Sequence, residues 1–233
     1  MAQTKKTTTA GRRPKTAGTD VDTRAAILTA AREVFARRGF AGTSVREVAE
    51  EAKVNKAMIY YHFDDKVDLY RAVLSHSFAA MDRIWDQEIF KNDSPAQEKI
   101  QTYIKGFIRF QQKNEDLRKI LAMEFSRTGA KSDNMKWIAK QYFAKNHASL
   151  MNILKAGMNS GELRKADPLL AVVSLIGIIS HIFIYIPIAP YIQKKSVDLS
   201  VLKLSSFVTE LYFNGLSVQK IVRKRIRRTE VRS

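Results

Sequence analysis

The sequence contains no cysteine, which excludes disulfides, thiolate metal sites and cysteine nucleophiles and suits a reducing compartment. Its four histidines, His62, His76, His147 and His181, never stand three or four residues apart, so they form no helical metal pair. Only 10 glycines and 5 prolines occur. No proline falls between Pro14 and Pro95 or between Pro95 and Pro168, so long helices can run unbroken. Phosphate-loop and dinucleotide glycine patterns are missing, as is a GxSxG nucleophile turn. These gaps point away from an enzyme, and neither a metal nor a cofactor is expected. With no internal repeat and no alternating run long enough for a sheet, the expected fold class is all-α.

Acidic charge is also scarce. Forty Lys and Arg against 23 Asp and Glu leave a net charge of +17, an imbalance that favours nucleic acid, an anionic membrane or an acidic partner. The excess is concentrated at the ends: residues 1–20 carry +4, residues 21–70 are neutral, and residues 219–233 carry +6. The first segment, with Lys5, Lys6, Arg12, Arg13 and Lys15 among threonines and glycines, has nothing to bury and reads as a mobile basic arm. It leads into no apolar stretch, so no secretory signal is expected and the expected location is the cytoplasm. For the basic tail, 219–233, a solvated end competes with contact to anionic lipid or DNA.

Residues 168–193 lack Lys, Arg, Asp and Glu altogether. Pro187 and Pro190 limit their helical part to about Leu169–Ile186, roughly 27 Å long and at the lower edge for crossing a bilayer. Basic residues flank both ends, Arg164 and Lys165 before and Lys194 and Lys195 after, so no one-sided flank sets an orientation. A buried helix is the favoured reading. A membrane-associated basic helical protein using 169–186 is the alternative.

Helix signals divide the rest. A first helix, capped at Asp22 or Thr23, carries Ile27, Ala31, Val34 and Phe35 at helical spacing and stops at Gly39. Ser44-Val45-Arg46-Glu47 is a capping box for a second, two-turn helix. Asn55 caps a third, with Ile59 and Phe63 four apart on its inner face. A fourth begins near Asp65 and runs to about Phe90. Ser94-Pro95-Ala96-Gln97 announces a fifth, with Ser94 as the cap, to about Gln112. Further starts fall at Asn114, Ser132, Asp167-Pro168 and Asp198, and stops at Gly129, Gly161, Pro187 and Gly215.

Two short helices joined by a three-residue turn suit a helix-turn-helix, about residues 44–63, whose second helix enters a DNA major groove. Phosphate contacts would supply affinity and base-edge contacts sequence choice. Lys56 suits guanine edges or phosphate, Ala57 and Met58 permit approach to a thymine methyl, and Tyr60 and Tyr61 share their exposed face. Arg46, Tyr61, His62 and Lys66 suit phosphates, and the amides near Thr43 and Ser44 add an anion site.

From Arg24 to Val73 the chain resembles the DNA-binding domain of the TetR family of bacterial regulators. The likeness rests on Ile27-Leu28, Ala30-Ala31, Phe35, Gly39-Phe40, Thr43 to Ala49, Val54-Asn55-Lys56 and Ile59-Tyr60-Tyr61-His62-Phe63, with Lys66 and Leu69. Lys53 departs from the family, which usually has glycine in that turn, and a left-handed lysine costs about 1 kcal/mol. Ala57 stands where Gly or Pro is frequent, so fine base contacts do not transfer. The organisation expected is a basic arm (1–20), a three-helix helix-turn-helix domain (21–68), a larger helical ligand-binding and dimerisation domain (69–218) and the basic tail (219–233).

The resemblance implies a ligand-responsive repressor acting as a homodimer on a palindromic double-stranded operator. It implies a dimer contact between the eighth and last family helices, for which Ala171, Ser174, Gly177, Ile178 and Tyr185 match with Val201, Leu204, Val208 and Leu211. It also implies a small lipophilic effector held in the second domain. The candidates there are Trp85, Tyr103, Phe107, Phe110, Phe125, Trp137, Phe143, His147 and His181. Few acids accompany them, which favours neutral or anionic lipophiles over cations.

Overall fold

The structure is a computed structural model and describes residues 20–84, 93–128, 132–192 and 200–216. Among them every regular element is helical. The basic arm, Trp85 and the basic tail lie outside the described residues, as do the expected signals at Asp198 and Gly129. The chain divides into two compact units, with the division between Val73 and Leu74, inside the fourth helix.

In the first unit, helix α1 (Asp20–Gly42) starts two residues before the expected cap. Its helical geometry breaks at Gly39, whose φ of 68° and ψ of 173° suit a residue without Cβ. The break turns the chain toward α2 (Val45–Glu51). Ser44 caps α2 through a complete capping box with Glu47, so reciprocal bonds satisfy two otherwise orphaned amides. Lys53 takes φ 54° in the turn that follows, and Asn55 caps α3 (Lys56–His62) by accepting from the Ala57 amide at 2.9 Å. Helix α4 (Lys66–Ile84) opens after Asp65, whose carboxylate accepts from the Asp68 amide at 2.8 Å. Ile27, Val34, Phe35, Val48, Ile59, Leu69 and Tyr70 are buried together. The Tyr70 ring meets Phe35 edge-on at 5.0 Å and Phe40 at 4.9 Å. Apolar burial of this kind is the main stabilising term for such short helices.

The second unit contains α5 (Ala96–Lys113), α6 (Glu115–Thr128), α7 (Asp133–Ile138), a π-helical turn (Ala139–Phe143), α8 (Ala144–Ser160), α9 (Pro168–Tyr185), a 3₁₀ turn (Ile186–Ile188), α10 (Ala189–Ile192) and α11 (Val201–Leu216). Helix α5 packs against α8, α9 and α11. Its N-terminus corrects one expectation, because Ser94 does not cap it. The Glu162 carboxylate does so from the α8–α9 connection, accepting from the Ala96 amide at 3.0 Å and the Gln97 amide at 2.6 Å. At Gly157 a Cβ would come within 2.7 Å of the Ala96 Cβ, so a glycine is what lets α8 approach there. Gly161 ends α8 in the left-handed conformation at φ 82°, as expected. Gly215 does not stop α11, which continues to Leu216.

Helix α9 is not the fully buried helix that its composition favours. Val172, Leu175, Ile179 and Phe183 are buried, but Leu169, Leu170, Val173, Ile184 and Tyr185 are exposed. Within Pro168–Ile192 an 18-residue window reaches a mean hydropathy of 2.5, and 22% of that window is buried. Leu202, Phe207 and Leu211 on α11 are likewise exposed. An apolar surface of this extent in a single chain marks a contact surface.

Candidate nucleic-acid interface and ligand cavity

Helix α3 turns Ile59 into the core, with Phe63 buried just beyond its end, and carries Lys56, Ala57, Tyr60 and Tyr61 on its exposed side, with Met58 half-buried. Tyr61 is 71% exposed, far more than a tyrosine held for packing. The Lys56 ammonium lies 5.5 Å from the Tyr60 ring centroid. On α2, Arg46 is exposed and pairs with Glu50 at 2.9 Å. That contact is solvent-accessible and weak enough to be exchanged for a phosphate.

Four candidates are placed differently from the sequence expectation. Thr43 is buried, and its hydroxyl donates to the Gly39 carbonyl at 2.8 Å, closing the break in α1. Ser44 is engaged by Glu47, whose carboxylate accepts from both the Ser44 amide at 2.9 Å and its hydroxyl at 3.0 Å. The expected anion site at the start of α2 therefore already holds an internal carboxylate. These bonds hold the Glu47 carboxyl below its ordinary value, the backbone bond to Ser44 most. His62 has only 4% of its side chain exposed, and its Nε2 sits 3.6 Å from Asp20, so it packs beneath the start of α1. The Lys66 ammonium donates to the Phe40 and Thr43 carbonyls, both at 3.0 Å, over the Phe40 ring at 4.5 Å. It secures the α1–α2 connection instead of standing free for phosphate.

The second unit encloses a cavity of about 380 Å³, a usual size for a small-molecule pocket. Of the ligand candidates, Tyr103, Phe107, Phe110, Phe125, Phe143 and His147 line it. Trp137 does not, its ring meeting Tyr142 edge-on at 5.5 Å. His181 also lies elsewhere, exposed and stacked on Tyr185 at 6.1 Å. Sequence reasoning missed Phe78, Gln111, Arg118, Asn146 and the α9 residues Ile176, Gly177 and Ser180, all of which reach the cavity. For Arg118 a signal existed: it neighbours the Leu117, Leu121, Phe125 stripe, spaced four apart, on the inner face of α6. Gln111 Nε2 donates to Ser180 Oγ at 3.3 Å, tying α5 to α9 at the cavity. His147 donates through Nδ1 to the Phe143 carbonyl at 2.8 Å. Burial pushes the Tyr103 phenol far up, so it stays protonated.

Gly177 thus borders the cavity besides standing on the exposed side of α9 with Ser174 and Tyr185. Ala171, Leu204 and Val208, expected at a dimer contact, are covered within one chain. Ile178 and Val201 are half-covered, while Leu211 is exposed. A 3.6-residue stripe identifies an apolar helix face but not which molecule covers it.

Residues 27–73 match the model of the bacterial regulatory proteins of the tetR family. The HTH-type transcriptional repressor Rv3405c of Mycobacterium tuberculosis is 44% identical over 64 residues, 28% of this chain and 34% of its own length. The HTH-type transcriptional repressor NicS of Pseudomonas putida is 41% identical over 61 residues, 26% of this chain and 29% of its own. The chain thus spans about a third of the length of these curated relatives. The Bacillus subtilis transcriptional regulator FadR, in complex with stearoyl-CoA, matches over 82% of this chain and 98% of its own, with a TM-score of 0.65 and 22% identity; the likeness is one of fold. The likeness to the tetR family is carried by residues 27–73, within the N-terminal unit.

Proposed function

We propose that the protein is a transcriptional repressor that binds a palindromic double-stranded operator as a homodimer and leaves it when a small lipophilic ligand fills the second unit. The observation that carries this is the face of α3 on which Lys56, Ala57, Tyr60 and Tyr61 are exposed above a buried Ile59. Such a helix offers a cation, a small side chain and two aromatic hydroxyls to base edges and phosphates. The first unit's relatives are named as repressors, which supports the direction of control. Residues 21–70 are neutral, so nonspecific attraction falls to the basic arm.

Dimerisation follows from the geometry of the target. Two recognition helices about 34–36 Å apart meet successive major grooves on one side of a duplex. The exposed apolar residues of α9 and α11 supply a surface for a second copy. Ligand and DNA then oppose each other through reciprocal coupling, each weakening the binding of the other. The stearoyl-CoA bound by the FadR structure supports a lipophilic effector. The site of action is the cytoplasm, and no reaction is assigned to the chain.

Selection of bound duplexes from a random pool by the purified full chain tests the reading. An enriched two-fold site, bound by a dimer, is the expected result. A strict monomer, or a protein with no preference over random duplex, would overturn it. The apolar stretch Pro168–Ile192 favours membrane association as a second reading. Flotation of the protein with anionic vesicles would establish that one.

A further inference from the structure

The cavity of the second unit is lined by aromatic and aliphatic side chains, and neither aspartate nor glutamate is among its lining residues. Among the described residues one permanently charged group reaches it, Arg118 on α6. Its guanidinium lies 5.2 Å from the Phe183 ring centroid, a contact that orients the fork. Its Nη1 is buried and has no hydrogen-bond partner. Glu115, three residues earlier, is bonded to Lys119 at 2.8 Å. Burial pulls the Arg118 pKa down, against a smaller opposing effect of Glu115, and arginine nevertheless remains charged. A buried donor on a cation left without an acceptor is costly, and an anion that completes it recovers that cost.

Three of the other polar groups at the cavity, Gln111, Ser180 and His147, are engaged with one another or with their own helix. Gln111 donates to Ser180. His147 donates through Nδ1 to the Phe143 carbonyl, so a neutral ring presents an acceptor at Nε2. No carboxylate in the described lining neutralises a cationic ligand. A lipophile without an acceptor leaves Nη1 unpaired, while a neutral oxygen offers it a weaker bond than a carboxylate does. A carboxylate is the planar group that a guanidinium fork binds through two parallel bonds.

We propose that this cavity binds an amphiphile whose apolar body packs against Phe78, Phe107 and Phe110 and whose carboxylate head accepts hydrogen bonds from Arg118. The proposal rests on the effector reading above and gives the effector its chemical class, a lipophilic monocarboxylate. Arg118 selects for the head, and the aromatic walls accept the body.

Calorimetry on the full chain with hexadecanoate, its methyl ester and hexadecylammonium, each below its micelle concentration, tests it. Hexadecanoate should bind at least about tenfold more tightly than the ester, as expected for bonds to a buried charge, and the ammonium should bind most weakly. Arg118→Met should bring hexadecanoate down to the ester's affinity and leave the ester unchanged, and Arg118→Lys should restore part of the difference. The ester doubles as a control for folding, together with the thermal midpoint of each variant. Equal binding of acid and ester by the unaltered protein overturns the head assignment while leaving a lipophilic effector site in place. Failure of all three probes overturns the effector reading itself. Hexadecanoyl-coenzyme A separates a thioester from a free acid: tight binding that is indifferent to Arg118→Met would move the anionic contact elsewhere and overturn the proposal.

Discussion

The Tyr212 hydroxyl donates to the Ala171 carbonyl at 2.9 Å, a buried bond that ties α11 to α9 across 41 residues of chain. Burial pushes the Tyr212 phenol far above its ordinary value, so the donor stays protonated. Tyr212→Phe keeps the ring and removes the bond. It should lower stability by about 0.5–1.5 kcal/mol, read from the denaturant midpoint at unchanged slope. An unchanged midpoint would show that the bond adds nothing.

Lys66 joins two backbone carbonyls, that of Phe40 in α1 and that of Thr43 in the turn after it. Removing its charge with Lys66→Met should cost about 1.5–3 kcal/mol in the first unit, measured by chemical denaturation. If the cost is negligible while DNA binding falls, the ammonium serves phosphate and not the fold.

In the turn between α2 and α3, Lys53 holds φ 54°, which strains an L side chain. Lys53→Gly removes that strain but frees the unfolded chain, and the two effects partly offset. A net gain of up to about 1 kcal/mol is expected. Lower stability in the variant would contradict the strain.

The Glu47 carboxyl titrates below its ordinary 4.5 because Ser44 bonds its charged form. A carboxyl depressed by folding contributes stability that is complete above the ordinary value and lost as pH falls through the folded one. The stability difference between the unaltered protein and Glu47→Gln should therefore be constant near neutrality and shrink on acidification below 4.5. A difference independent of pH would place the effect outside the capping box.

Deleting residues 2–16 should weaken DNA binding and flatten its salt dependence, by about 0.9 in slope for each phosphate that the arm no longer neutralises. Tyr61→Ala, at an exposed side chain, should weaken binding with no change in thermal midpoint. Anisotropy titrations over a range of salt concentrations check both, and an unaltered slope in the deletion would remove the arm from the interface.

Sequence alone determined the local events. Ser44 and Glu47, Asn55, Gly39 and Gly161 act within a few residues of themselves, so the helix boundaries they set are legible from spacing and from the φ each residue tolerates. The exposed face of α3 follows from the same periodicity, and six of the aromatic and histidine side chains named as ligand candidates line the cavity. Tertiary structure decided what periodicity does not carry. Glu162 caps α5 from 65 residues away, Lys66 bonds carbonyls instead of standing free, His62 is covered, and Arg118, which lines an apolar cavity, is left with a buried, unpartnered donor. A stripe states that a face avoids water; which atoms exclude that water depends on segments far apart in the chain, and that depends on packing.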